Sequence, residues 1–296
     1  MVISLTSFPA RLPHIVPCLA SLVPQATAED RIVLWLGKDQ FPRRLGDVPE
    51  DILPYSRSRG GAVDIRFTED IRSFTKLIPS LRAFPDEAVI TVDDDAAYAP
   101  RTIDVLKDAH ARNPSAIFAH AVSDLYHSRG EWRRTPGTHG FPDSPQPLRM
   151  MVGLGAVLYP PHSLGDLVFD RQLFQRLCPT NDDIWFWYCA AKNGTPVLRP
   201  PKAIRRPRMI AATAIGALSA TNERNCDAVN IGYIGRIREF DPGFAATMDE
   251  SCRRHRIRIA LARAFRALVH YPLQAAYCLR HGGLGFLRAE IERSRS

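Results

Sequence analysis

The chain has 296 residues, 45% of them hydrophobic and 24% charged, with a formal net charge of +8. That composition is ordinary for a soluble globular protein and is long enough for one large domain with or without an appendage. The charge does not speak for nucleic acid: Cys252–Ser296 carries ten arginines, no lysine and two glutamates, so the body before it is close to neutral and lacks the basic stripe a nucleic-acid groove needs.

The six cysteines include no CxxC pair, which argues against a structural zinc site. The N-terminus "MVISLTSFPA" has no basic region and too short an apolar run for a secretion signal, so a cytoplasmic chain with reduced thiols is expected. Ile259 to Leu279 is the most apolar stretch, but Arg263, Arg266, His270 and Pro272 interrupt it as a membrane span.

In chain order, Val2 to Leu5 reads as a strand, followed by the polar loop "TSFPAR". Ile15 to Leu22 reads as a short helix, and "RIVLWL" (Arg31 to Leu36) and "AVDIRF" (Ala62 to Phe67) as strands. Leu77, Ile78 and Leu81 give helical spacing between Phe74 and Phe84. Ala88 to Val92 is a buried strand that runs into "DDD". A helix is expected over Arg101 to Arg112 with Pro100 in its first turn, then a strand over Ala116 to Ala121. Ser123 to Met150 shows no period and reads as a functional loop or lid. "VGLGAVLYPP" returns to strand character, and "TNDDIWFWYCAAKNG" reads as a helix capped by Asn181 or Thr180 and stopped at Asn193-Gly194.

The alternation predicts an α/β fold with a mostly parallel central sheet flanked by helices. Such sheets bind ligands at the carboxyl ends of their strands, where "TSFPAR" and "DDD" both fall. In extended backbone Asp93 and Asp95 would share one side and Asp94 would face the other; two carboxylates on one face suit a hard divalent cation. Capping of the next helix explains one acid of the three. "NDDIW" sets two acids at a helix start beside Trp185, Phe186, Trp187 and Tyr188, either as base and sugar-stacking rings or as dipole-capping acids and core aromatics. His120, His127 and His139 read as polar loop residues.

"SLTSFPARL", "DIRSFTKLIPSL", "TVDDDAAYAP", "GLGAVLYPP" and "NDDIWFWYCA", in this order up to about Val197, resemble GT-A fold glycosyltransferases, in particular the family 2-like glycosyltransferases of bacterial polysaccharide gene clusters. The resemblance implies a nucleotide-sugar donor, Mn2+ or Mg2+, and a glycan or lipid-linked acceptor. Thr6, Ser7, Arg11, Lys76, Asp93 and Asp94 would meet the donor, and Asp93 and Asp95 the metal. Gly153, Gly155, Ala156 and Trp185 would shape the sugar and acceptor site. Asp183, or else Asp182, would be the base of an inverting transfer. A further metal ligand would come from His162, Asp227 or His255, and Asn222, Asn225 and Asp227 form a polar cluster late in the chain.

Two rival readings use the same acids. A haloacid-dehalogenase-like phosphatase also places DxD after an apolar strand, but its motif continues with Gly-Thr or similar, where this chain has Ala96-Ala97. A non-catalytic sugar-binding protein would not need "DDD", Lys76 and "NDD" together. A dinucleotide oxidoreductase is disfavoured because "GLGAVL" lacks the GxGxxG spacing. Residues 1–250 are read as the transferase domain and 251–296 as a basic amphipathic tail, with Ile257, Leu261, Phe265 and Leu268 on one stripe and arginines off it. Such a tail suits an anionic membrane surface, here the inner face, or else packs on its own domain.

Overall fold

A computed structural model describes residues 1–128, 130–134, 148–202, 204–210, 226–255 and 257, with the backbone alone at 154 and 226–228. The described residues fall into two compact units. Residues 1–123, 149–202 and 204–210 form the first; 124–128, 130–134, 148, 226–255 and 257 form the second.

The first unit is a sheet covered by helices. Its strands are β1 (Val2–Ser7), β2 (Arg31–Gly37), β3 (Val63–Thr68), β4 (Val89–Val92), the first part of β6 (Ile117–Ser128), β8 (Arg149–Tyr159) and β9 (Val197–Leu198). They lie in the order β3-β2-β1-β4-β8-β6, with β9 beside β6. β3, β2, β1 and β4 run parallel, β9 runs parallel to β6, and β8 runs antiparallel to β4. The mostly parallel sheet expected from the sequence is therefore present. Every residue of β4 is buried, and β1 and β2 are nearly so, as both faces of a helix-covered sheet require. The short strands β5 (Ala96–Ala97) and β10 (Arg208–Met209) pair antiparallel just after the aspartates.

The helices are α1 (Val16–Leu22), α2 (Ile78–Ala83), α3 (Thr102–Arg112), α4 (Arg171–Leu177) and α5 (Asp182–Lys192). In α5 every residue from Ile184 to Ala190 is buried, so the helix is apolar on all sides and sits inside the fold. Asn181 caps it, its side chain accepting from the Ile184 N–H at 3.0 Å, and Gly194 at φ 72° follows its end.

Three local expectations change. The helix expected from Phe74 to Phe84 is a 3-10 turn, Arg72–Lys76, followed by α2. Pro79 cannot donate to a continuous ladder and instead opens the second helix. Pro100 stands outside α3, because Arg101 at φ 70° leaves helical geometry between them. The stretch from Ser123 is not all loop: β6 continues to Ser128 and pairs antiparallel with β7 (Glu131–Arg134). Residues 135–147 lie outside the described residues.

That hairpin belongs to the second unit, with the helices α6 (Cys226–Phe240) and α7 (Pro242–Arg254). Ile234, Ile237 and Met248 are fully buried there, and the Arg238 guanidinium stacks on Trp132 at 4.9 Å while bonding Asp249 at 3.1 Å. Of the expected basic tail, 251–296, Ser251 to Arg254 are the end of α7, with His255 following; the rest apart from Ile257 lies outside the described residues. No helix of the described residues is long and apolar enough to cross a membrane.

Candidate active site

The parallel pairing of β1 with β4 places Val2 opposite Val89 and Ser4 opposite Thr91. Continued two and three residues, that register brings Thr6 and Ser7 level with Asp93 and Asp94. The Ser7 hydroxyl accordingly donates to Asp94 Oδ2 at 2.6 Å. Arg11, one turn into the following loop, donates to Asp94 Oδ1 at 2.8 Å and lies 3.1 Å from Asp95 Oδ2.

The aspartates are not extended. β4 ends at Val92, and Asp94 and Asp95 form a turn. Alternation therefore does not apply, and Asp94, expected to face away, points into the β1 loop and is buried. Burial raises its carboxyl while Ser7 and Arg11 oppose the rise. Thr6 is taken up by the fold, its hydroxyl donating to the Trp35 carbonyl at 2.9 Å.

Lys76 joins two groups of acids. Its Nζ lies 3.5 Å from Asp93 Oδ1 and 3.1 Å from Asp182 Oδ2. The second contact is an ion pair without hydrogen-bond alignment, and Asp182 Oδ2 has no hydrogen-bond partner although buried. Burial works against the Lys76 charge, but Asp182, Asp93 and Asp183 together hold the ammonium well above its ordinary value. Burial pushes the Asp93 carboxyl up to about 7; Lys76 pulls it down, and Asp95, Asp183 and Asp182 push it further up.

The lysine is placed from both ends. Ser4 donates to the Lys76 carbonyl at 2.6 Å, fixing its backbone to β1. Phe74, two residues earlier, stacks on Phe174 at 4.2 Å and meets Phe186 edge-on at 5.8 Å. Phe186 stands one turn beyond Asp182 and Asp183 on α5, so the aromatic cluster sets the distance between lysine and acids. Trp185, expected to stack on a sugar, belongs to this core: it is 0% exposed and its Nε1 donates to the Val168 carbonyl at 3.3 Å.

Gly153 completes the group. Its N–H donates to Asp183 Oδ2 at 2.8 Å. A Cβ on Gly153 would stand 2.7 Å from Asp183 Oδ1 and 2.9 Å from Lys76 Nζ, so only glycine permits this approach. Asp183 is partly exposed whereas Asp182 is buried. Two other residues expected to shape the acceptor site are enclosed. Ala156 is a core residue opposite Val92, and Gly155, at φ 106°, packs against the His120 ring.

The turn is also held from below. The Asp93 N–H donates to the Tyr98 hydroxyl at 2.6 Å, and that hydroxyl donates to the Gly155 carbonyl at 2.8 Å. Cys18 Sγ donates to the Asp93 carbonyl at 3.4 Å. Nothing in the sequence marked Tyr98, because its partners are main-chain groups.

Among the described residues no group of three or more His, Cys, Asp or Glu side chains is arranged to hold a metal ion. The aspartate turn offers the Asp93–Asp95 pair, two hard oxygen donors of the type Mn2+ or Mg2+ takes when substrate phosphates complete its shell. His162 does not join them: it is exposed, 3.2 Å from Asp86, beyond the opposite end of β4. His255 belongs to the second unit, and the side chain of Asp227 lies outside the described residues, as do Asn222, Asn225 and His139. His120 is a buried strand residue rather than a loop residue, its Nε2 3.0 Å from the Ile204 carbonyl. His127 is also on β6, in the second unit, edge-on to Trp132.

No protein-family profile matches the chain, and no curated protein matches it. Among solved structures it is similar to S. aureus TarS, at 14% identity and TM-score 0.44 over 69% of this chain and 36% of that one. A second structure, of TarS residues 1-349 in complex with UDP, gives 16% identity and TM-score 0.45 over 69% of this chain and 59% of that one. The chain thus spans less than two thirds of the length of either TarS structure. CMP:2-keto-3-deoxy-manno-octonic acid synthetase complexed with CTP gives 12% identity and TM-score 0.39 over 67% of this chain and 88% of that one. At these TM-scores the likenesses carry no inference about ligand or reaction.

Proposed function

We propose that this chain is a metal-dependent, inverting glycosyltransferase that moves a sugar from a nucleotide-sugar donor to a hydroxyl of a glycan or lipid-linked acceptor in cell-surface polysaccharide or lipopolysaccharide assembly. One observation carries the chemistry: Lys76 stands between Asp93 on the aspartate turn and Asp182 at the start of α5, beside Asp183. This joins a diphosphate-type site to a candidate base across one ammonium. The family and pathway rest on the ordered motifs from "SLTSFPARL" to "NDDIWFWYCA".

In the transfer, the acceptor hydroxyl attacks the anomeric carbon, its proton passes to Asp183, and the bond from sugar to diphosphate breaks. Asp183 suits the base because its Oδ2 is fixed by the Gly153 N–H and its side chain is partly exposed. Asp182 serves instead to hold Lys76 in place. The ammonium meets the negative charge that grows on the leaving diphosphate, in a setting dry enough for that charge to matter. A divalent cation held by Asp95 and Asp93 would supply Lewis-acid stabilisation to the same oxygens. Arg11 and Ser7 keep the turn in shape through Asp94.

The test is release of nucleoside diphosphate from a panel of nucleotide sugars, with cell-envelope glycan and lipid extracts as acceptors. One donor is expected to turn over with Mn2+ or Mg2+, and Asp183→Asn is expected to lower that rate by about 10²–10⁴-fold. Release of inorganic phosphate from sugar phosphates, with no donor turned over, would replace the transferase reading with a phosphatase.

A further inference from the structure

We propose that Tyr98 is a positioning residue that fixes the main chain of Asp93, so that the aspartate turn is built ready for the donor. This rests on the transferase reading of the site. Tyr98 is buried, with 4% of its surface exposed. The hydroxyl accepts from the Asp93 N–H at 2.6 Å and donates to the Gly155 carbonyl at 2.8 Å, with a longer contact of 3.4 Å to the Asp93 carbonyl. The Tyr98 N–H is tied in turn to Ser21 Oγ at 2.9 Å.

The partner carbonyl is specially made. Gly155 interrupts β8 at φ 106°, a conformation that side chains other than glycine's seldom adopt, and a Cβ there would stand 2.2 Å from His120 Nδ1. Glycine is thus required twice, by its φ and by the His120 ring. The role expected for Gly155, shaping an acceptor pocket, is replaced: it contributes its carbonyl to Tyr98. The hydroxyl then links β8 to the first residue after β4.

Asp93 is where this matters. Val92 is the last strand residue, so the N–H of Asp93 is the first in the turn with no ladder partner to fix it. A partly buried N–H outside the ladder still needs a partner, and here the pairing also sets the direction in which the Asp93 carboxylate leaves the chain toward Lys76. Arg11 holds the other two carboxylates. The turn is clamped at Asp93 through its main chain and at Asp94 and Asp95 through their side chains.

The experiment compares wild type with Tyr98→Phe, which removes only the hydroxyl, and with Ile103→Val, a core truncation on α3 away from the turn. Tyr98→Phe is expected to raise the donor KM and the Mn2+ Kd about tenfold, the size of one lost hydrogen bond to a pre-formed site, with kcat changed by less than about threefold. Ile103→Val should lower Tm and leave KM and Kd alone. If Tyr98→Phe moves Tm but neither KM nor Kd, Tyr98 is merely structural and the proposal is overturned. Hydrogen exchange of the Asp93 amide in wild-type protein keeps the proposal refutable even if Tyr98→Phe fails to fold: exchange at an open-loop rate overturns it, and strong protection supports the bond to Tyr98 on which it rests. Wild type that binds neither Mn2+ nor any nucleotide sugar would sink the transferase reading instead, and the exchange measurement would still test whether Tyr98 fixes the Asp93 main chain.

Discussion

Gly153→Ala separates catalysis from folding at one carbon atom. The residue lies in β8 with its φ outside the left-handed region, so alanine fits the backbone without strain. Glycine within a strand costs about 0.5–1 kcal/mol relative to alanine, so the backbone term favours the variant. The new Cβ, however, would stand 2.7 Å from Asp183 Oδ1 and 2.9 Å from Lys76 Nζ. Carbon keeps such atoms at about 3.5 Å, so each must retreat by roughly 0.6–0.8 Å. Both are tips of side chains, which makes the retreat cheap for the fold. It is expensive for the chemistry, because a misplacement of about 1 Å can cost 10²-fold in rate. The variant should unfold within about 1 kcal/mol of wild type while kcat/KM for donor turnover falls about 10- to 100-fold, equivalent to roughly 1.4–2.7 kcal/mol of transition-state stabilisation. Thermal unfolding and diphosphate release measure the two quantities. A folded Gly153→Ala protein with wild-type kcat/KM would mean that Asp183 and Lys76 do not act where the structure places them.

Asp95→Ala should remove metal-dependent donor binding, whereas Asp183→Asn should keep donor affinity within about threefold and remove transfer; calorimetric titration that shows both properties lost in Asp183→Asn would make that residue structural. Arg11→Met leaves the buried Asp94 carboxylate without its cation and should destabilise the protein by about 3 kcal/mol, a figure that a thermal-unfolding difference below about 0.5 kcal/mol would contradict. Asp30 sets an acid limb: burial opposes its charge, but hydrogen bonds from Lys107 and Thr27 hold its carboxyl below the ordinary range. A lowered folded value means that its stabilisation is complete above the unfolded value of about 4 and is lost as pH falls through the folded one, so Asp30→Asn should flatten the acid end of a stability–pH curve and leave its shape above pH 5 unchanged.

The parallel sheet was legible because buried strands such as "RIVLWL" and "AVITV" read directly as apolar runs between turn signals. The capped helix at Asn181 was legible for the same local reason. The aspartate turn was located but its geometry was not. Alternation assumes extended backbone, and a tertiary contact, Asp94 with Ser7 and Arg11, bends the chain after Val92. The aromatic residues after "NDD" could be either rings for a sugar or core, and full burial against Phe174 and Tyr188 decides for core at Trp185. The third-ligand candidate His162 failed on topology: the antiparallel course of β8 carries it to the far end of β4. Gly153 and Gly155 were picked out, but their tasks were not, since close approach to Asp183 and to His120 is a property of three-dimensional neighbours. Tyr98 left no trace in the pattern because an aromatic residue after a turn is ordinary core material until its hydroxyl finds main-chain partners.

The central claim is that the aspartate turn and Lys76 form a nucleotide-sugar site. A thermal-shift panel of nucleotide sugars, each with and without Mn2+, tests it most directly. At least one nucleotide sugar should raise Tm by several degrees at about 100 Kd, and the rise should depend on Mn2+ and vanish in Asp95→Ala. No shift with any nucleotide sugar, with or without the metal, would contradict the claim.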